Sequence, residues 1–244
     1  MKASTLFLAH LVALATSTAI EPRQQATLCK QYEYWSGNGY EMNNNLWGKD
    51  SATSGSQCTY LNSASDNGIA WSTTWTWQGA PNNVKSYVYS GRQVAKGRKI
   101  SQISSMPTSV SWRYSTSVRA NVAYDIFTAA DPNHVNSSGD YELMIWLGRF
   151  DVYPIGQSRG MVTVGGQQWD LWIGMNGNMK VFSFIAPQTT NQWSGDAKVF
   201  FNYLQQSQGF PASSQNLIVY QFGTEAFTGG PATFTVSNWS ASVS

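Results

Sequence analysis

The stretch SGDYELMIWLG (138–148) reads with a period of two. Leu143, Ile145 and Leu147 fall on one face of an extended segment, and Glu142, Met144 and Trp146 on the other. A carboxylate on so apolar a run loses hydration unless a partner or a reaction uses it. The segment is therefore both a strand and a candidate site.

Similar alternating runs lie on either side of it. IAWSTTWTWQG (69–79) sets Trp71, Thr73, Trp75 and Trp77 on one face. SYVYSGR (86–92), SVSWRYS (109–115) and RANVAYDIFTA (119–129) precede the central stretch. MVTVGGQQWDLWIG (161–174), MKVFSFIA (179–186), NLIVYQFGTEAFTG (216–229) and ATFTVSNWSAS (232–242) follow it. Short strands bounded by Gly, Asn, Ser and Pro predict an all-β antiparallel sandwich or jelly roll. One segment departs from this. SGDAKVFFNYLQQSQG (194–209) has Val199, Phe200, Tyr203 and Leu204 at helical spacing, Ser194 or Asp196 as cap, and Gly209 just past the end.

Residues 1–19 carry Lys2, an apolar core from Leu6 to Ala15 and small residues Ser17 and Ala19, the pattern of a secretory signal peptide. A short pro-segment ending near Arg23 is a further expectation. No later run approaches 18 apolar residues, so no membrane span is expected. No linker or repeat divides residues 24–244, which fit a single domain. Secretion makes a Cys29–Cys58 disulfide the default for the two cysteines. Asn136 (NSS) and Asn238 (NWS) are glycosylation sequons.

The whole chain carries a formal net charge of +2, so neither nucleic acid nor a membrane surface is implied as partner. The basic cluster Lys96, Arg98 and Lys99 reads as a solvated turn. Eleven tryptophans and twelve tyrosines in a chain only 11% charged suggest a protein that stacks on the C–H faces of sugar rings.

Past the leader only His134 remains, which leaves no zinc site and no Ser-His-Asp triad with a Gly-x-Ser-x-Gly elbow. No phosphate-cradling glycine loop occurs either. No cofactor or metal is expected, and carboxylate chemistry is left. Most Asp residues sit beside Gly, Ser or Asn as turn formers. Asp170 lies between two tryptophans in a strand-like run, and Glu142, Glu225 and Asp125 lie in aromatic strands. Glu225 shares its face with Gln221 and Gly223. Two such glutamates fit glycosidic bond cleavage, in which one carboxylate is ionised and the other delivers a proton.

Together YELMIWLG (141–148), QFGTEAFTG (221–229), NNLWG (44–48), ANVAYDIFTAADPNHV (120–135) and SGDYE (138–142) resemble glycoside hydrolase family 12, and most of all its secreted fungal endo-β-1,4-glucanases. The similarity runs from Cys29 to the end of the sequence. It implies a β-jelly-roll sandwich of two antiparallel sheets with a concave substrate cleft and one short α-helix. It implies a retaining enzyme with Glu142 as nucleophile, Glu225 as general acid/base and Asp125 supporting the nucleophile. Trp35, Asn45, Trp47, Met144, Trp146 and Gln221 are the implied substrate-binding residues, and Cys29–Cys58 matches the family's disulfide. The expected protein is a secreted monomer acting on a β-glucan polysaccharide.

The sequence departs from the family's common pattern at Ser72, at Ala226 and in GRFDVYPIG (148–156), which is one residue shorter. The alternatives are a xyloglucan-specific endo-β-1,4-glucanase, against which Arg149, Phe150 and Tyr153 argue, and a non-catalytic glucan-binding lectin.

Overall fold

The computed structural model describes residues 25–244. The expected signal peptide and cut near residue 23 lie outside the described residues. Among the described residues, fourteen strands form two layers that share one strand, with one α-helix and two short 3-10 helices, Lys49–Ser51 and Ile100–Gln102.

The shared strand is β14, Asn216–Ala241. Its first half pairs antiparallel with β6 (Ser86–Arg92) and β8 (Val118–Ala129). Its second half pairs with β5 (Gly68–Gln78) and β7 (Pro107–Tyr114). The change of layer falls at Gly229 and Gly230, whose φ of 127° and 92° only glycine adopts freely. The sequence suggests two strands here, 216–229 and 232–242. Their backbone is continuous because each half still finds partners on both sides.

On the outer layer β5 continues to β4 (Ser54–Ser65) and then β1 (Ala26–Leu28), while β7 carries β13 (Gln192–Asp196). On the inner layer β6 carries β3 (Tyr40–Asn43) and β2 (Tyr34–Gly37). In the other direction β8 is followed by β9 (Tyr141–Phe150), β12 (Met179–Ile185), β11 (Gln167–Asn176) and β10 (Gln157–Val164). The β9–β12 pair is parallel, so the expected wholly antiparallel sheets contain one exception. A crossover through β10 and β11 returns the chain to β9 in the same direction.

The core lies between the layers. Leu143, Ile145 and Leu147 are buried there with Trp71, Tyr124, Phe222, Phe234 and Trp239. Tyr124 of the inner layer meets Trp193 of the outer at 5.4 Å between ring centroids, and Tyr40 meets Trp239 at 5.6 Å. Eight of the eleven tryptophans are buried, Trp71, Trp75 and Trp77 among them. The tryptophan content is mostly core and not ligand platform, which corrects the sugar-stacking reading of composition for these eight.

Helix α1 is Lys198–Gln208, so Ser194–Asp196 is strand and not the helix start expected. Pairing with Pro107–Ser109 extends that stretch. Asp196 Oδ1 then accepts from the backbone N–H groups of Lys198 (2.8 Å) and Met106 (2.7 Å), tying the helix start to β7. Phe200 and Leu204 are buried as their spacing predicts. Phe201 is buried too, because Phe210 folds back on it at 5.3 Å. Gly209 ends the helix at φ 69°, as the sequence signals.

Candidate active site

Strand register brings the carboxylates together. On β8 Asp125 lies opposite Met144 of β9 and Gln221 of β14, and Phe127 lies opposite Glu142. Glu225 of β14 lies opposite Tyr87 of β6. Because residues across a ladder share a face, Glu142, Asp125, Gln221, Glu225, Tyr87 and Tyr89 all point to the concave side. They line one cavity of about 590 Å³.

One end of the cavity is aromatic and polar. Trp47 is 51% exposed and Tyr32 is 55% exposed, and Asn45 and Asn43 lie beside them. Asn44, fully buried, anchors this segment: its Nδ2 donates to Lys30 O and its Oδ1 accepts from Thr59 Oγ1 at 2.7 Å. The Cys29–Cys58 disulfide closes the same region, as expected.

The other expected binding residues lie elsewhere. Trp35 lies opposite Met42, on the core side of β2, and leans on the main core. Its neighbour Tyr34, opposite Asn43, holds the cleft face and donates to Glu41 Oε2 at 2.9 Å. Trp35 is therefore not a cleft residue. Alternation in a four-residue strand gave no hint of which parity faces in. Met144 and Trp146 do share the face of Glu142, but they are buried in a small cluster with Val152, Val181, Ile185 and Phe227. Val152, from the segment after β9, seats on them, so they support the site from below instead of lining the cavity. Tyr32, Asn43, Tyr87 and Tyr89 line the cavity without a motif in the sequence that marks them. Tyr87 and Tyr89 were available as alternating residues in SYVYSGR, whereas Tyr32 sits in a turn at φ 61°, where no periodicity could place it. Asp170 does not line this cavity and accepts from Ser158 Oγ (2.5 Å) and Trp172 Nε1 (2.7 Å).

Burial dominates the electrostatics. No lysine or arginine forms an ion pair with the three carboxyls; the ion pairs among the described residues are Lys49–Asp50 and Arg119–Asp151. Burial, then the charges of Glu142 and Glu225, holds Asp125 well above the usual carboxylate range. Burial and then the charge of Glu225 also raise Glu142, while its hydrogen bond with Asp125 lowers it. The same bond raises Asp125, so of these two carboxyls Asp125 holds its proton the more tightly and Glu142 gives its proton up first. Burial pushes Glu225 up to about 7, opposed by a hydrogen bond from Asn121. The site thus offers a hydrogen-bonded pair of carboxyls in which Asp125 is the neutral donor to Glu142, and a separate carboxyl that holds a proton near neutrality.

Residues 38–244 match the family model described as Glycosyl hydrolase family 12. The chain belongs to this family. It is 54% identical over 223 residues to endoglucanase A of Aspergillus kawachii, covering 89% of this chain and 92% of that one. It is 43% identical over 249 residues to a xyloglucan-specific endo-β-1,4-glucanase A of Emericella nidulans, covering all of both chains. Among solved structures, the catalytic domain of Humicola grisea Cel12A with a soaked thio cellotetraose superposes with a TM-score of 0.88 at 60% identity, covering 90% of this chain and 99% of that one. Trichoderma harzianum endoglucanase 3 gives 0.87 at 50% identity, covering 93% and 100%. The family membership makes the protein a glycoside hydrolase and its fold the family's β-jelly roll.

Proposed function

We propose that the protein is a secreted, retaining endo-β-1,4-glucanase acting on cellulose-like and mixed-linkage β-glucans, with Glu142 as nucleophile and Glu225 as general acid/base. The observation that carries the reading is that Glu142, Asp125 and Glu225 line one cavity without a lysine or arginine in its lining, Asp125 holding its proton more tightly than Glu142 and Glu225 holding its own up to about pH 7.

Glu142 attacks the anomeric carbon and forms a glycosyl-enzyme ester as Glu225 gives its proton to the departing oxygen. Water then enters, Glu225 removes its proton, and the ester is cleaved with net retention. Retention needs the two carboxyls about 5–5.5 Å apart. Asp125 donates to Glu142, which orients it and favours its ionised form. Trp47 and Tyr32 offer ring faces to glucosyl units, and Asn45 and Gln221 bond their hydroxyls. The open cleft admits a chain without requiring its end. The chain works as a monomer, and residues 1–19 direct it to the secretory route. No helix among the described residues is long and apolar enough to cross a membrane.

Linear glucans are favoured over branched ones by the segment after β9. Arg149 lies over the Tyr153 ring at 4.6 Å, and Tyr153 leans on Trp172 at 5.6 Å. Such bulk leaves less room for side-chain sugars than small residues would. The full-length similarity to xyloglucan-specific relatives supports the second reading.

The test incubates the protein and its Glu142→Gln variant with mixed-linkage β-glucan and with xyloglucan, following viscosity and new reducing ends. A fast fall in viscosity on β-glucan, abolished in the variant, is expected. A fall on xyloglucan alone would replace the first reading with the second, and binding without any fall would make the protein a lectin.

A further inference from the structure

Asn121 is fully buried on β8 and enters no step of the proposed mechanism, yet both polar ends of its side chain touch one residue. The backbone N–H of Glu225 donates to Asn121 Oδ1 at 2.9 Å, and Asn121 Nδ2 donates to Glu225 Oε2. The geometry points to Asn121 as the positioning residue that decides which oxygen of Glu225 carries the transferable proton. The inference rests on the reading of Glu225 as acid/base.

A backbone N–H only donates, so it must face the amide oxygen of Asn121 and cannot face its NH2. That fixes the amide's orientation and leaves the NH2 aimed at Oε2. An NH2 group also only donates, so a proton on Oε2 pointing at it would set two donors against each other inside the protein. Oε2 is therefore kept as an acceptor and the proton is confined to Oε1. Asn121 is itself held in place. Its backbone carbonyl accepts from Thr224 Oγ1, whose hydroxyl in turn meets Tyr114 OH at 2.6 Å. The β8–β9 ladder also slips register between Val122 and Ala123, a bulge of the kind that re-aims neighbouring side chains. Glu225 faces Tyr87 from β6, with Glu142 from β9 and Asp125 from β8 across the cleft, and none of these supplies an alternative donor-only contact to Oε2.

The consequence falls on one bond-making event. As the C1–O bond breaks, the leaving oxygen keeps the electron pair and takes the proton from Oε1, while Glu142 forms the new bond to C1. A Glu225 whose proton sat on Oε2 would face Asn121 and deliver nothing.

Asn121→Asp tests this without changing shape. One of its oxygens still accepts from the Glu225 backbone. The other meets Oε2 acceptor to acceptor, and a proton drawn between them is withheld from the substrate. On mixed-linkage β-glucan kcat/KM is expected to fall about 100-fold, the scale of lost general-acid help. On 2,4-dinitrophenyl β-cellotrioside, whose leaving group needs no proton, the expected fall is less than about fivefold. Asn121→Ser, which accepts from the backbone but is too short to reach Oε2, should move the basic limb of the pH profile upward, since the carboxylate loses a donor. Equal losses on both substrates with an unmoved pH profile would reduce Asn121 to a structural residue and overturn the proposal.

Glu225→Ala separates the two layers of the argument. If that variant keeps its glucan activity, the acid/base reading itself fails. If it loses the activity while Asn121→Asp keeps it, only the positioning role fails. A neutron map of the deuterated native protein near pH 5 needs no variant: density for the deuteron on Oε1 is expected, and a deuteron on Oε2 would overturn the inference.

Discussion

At the scale of residues, three carboxyls share a cleft that supplies no cation to neutralise them. Each ionisation after the first costs more, because burial and like charge act together. The folded protein therefore binds protons more tightly than the unfolded chain. The sign follows from linkage: stability is unaffected below the unfolded carboxylate range near pH 4.5, and it is lost as pH rises toward the folded values of about 7 for Glu225 and about 8 for Glu142. Glu225 alone accounts for at most about 3 kcal/mol, or roughly 5–10 °C in a chain of this size. Thermal scans should therefore show a lower midpoint at pH 8 than at pH 5, with a flatter dependence in Glu225→Gln. The rate profile shares this origin, and kcat/KM should decline above about pH 7 as Glu225 loses the proton it must donate. A basic limb displaced below pH 5 would contradict both statements. Glu142, Asp125 and Glu225 were legible because a charge in an alternating apolar run has no cheap explanation. Asn121 was not, since an asparagine in a strand reads as unremarkable until its two contacts are seen.

At the scale of elements, the strands that hold the carboxylates were recoverable from alternation, and β6 matches its predicted span. The failures have separate causes. MVTVGGQQWDLWIG, a single run in sequence, holds a turn at Gly165 and Gly166 between β10 and β11, across which the core-facing residues switch from even (Val162, Val164) to odd (Trp169, Leu171). β2 and β3 are too short for any period to show, so alternation could not correct the cleft position that the family resemblance implies for Trp35. The cleft wall they build makes its own prediction. Trp47 is half exposed on a segment pinned by the buried Asn44, so its ring is presented without much freedom to lose on binding. Trp47→Ala should raise KM on β-glucan about tenfold, the upper scale of an aromatic contact, with little change in kcat or thermal midpoint. A fall in kcat with unchanged KM would move Trp47 out of the binding surface. Asn136, an exposed sequon residue, borders the same cavity, so a glycan there would stand at the rim of the cleft.

At the scale of the whole molecule, the Cys29–Cys58 bond encloses β2, β3 and the segment bearing Tyr32, Asn45 and Trp47. Closing a loop of that length stabilises by about 3–4 kcal/mol on the chain-entropy model. Cys58→Ser should lower unfolding free energy by roughly that amount and also weaken glucan binding, because it frees the wall of the cleft. Lost stability with unaltered KM would show that the wall stands by itself.

The strand common to both layers has a bearing on how the protein comes into being. Every other described element precedes β14 along the chain, yet β14 occupies the middle of each layer and carries Glu225. While a ribosome is still adding residues before Asn216, the inner layer lacks the neighbour that joins β6 to β8, and the outer one lacks what joins β5 to β7. Neither can close on partial chains, so the growing polypeptide gains no native core and no acid until this segment is released. A nascent chain stalled before residue 216 should remain protease-sensitive throughout. Assembly is thereby deferred until synthesis has passed β14, which keeps a polysaccharide-cutting enzyme inert while it is still being made.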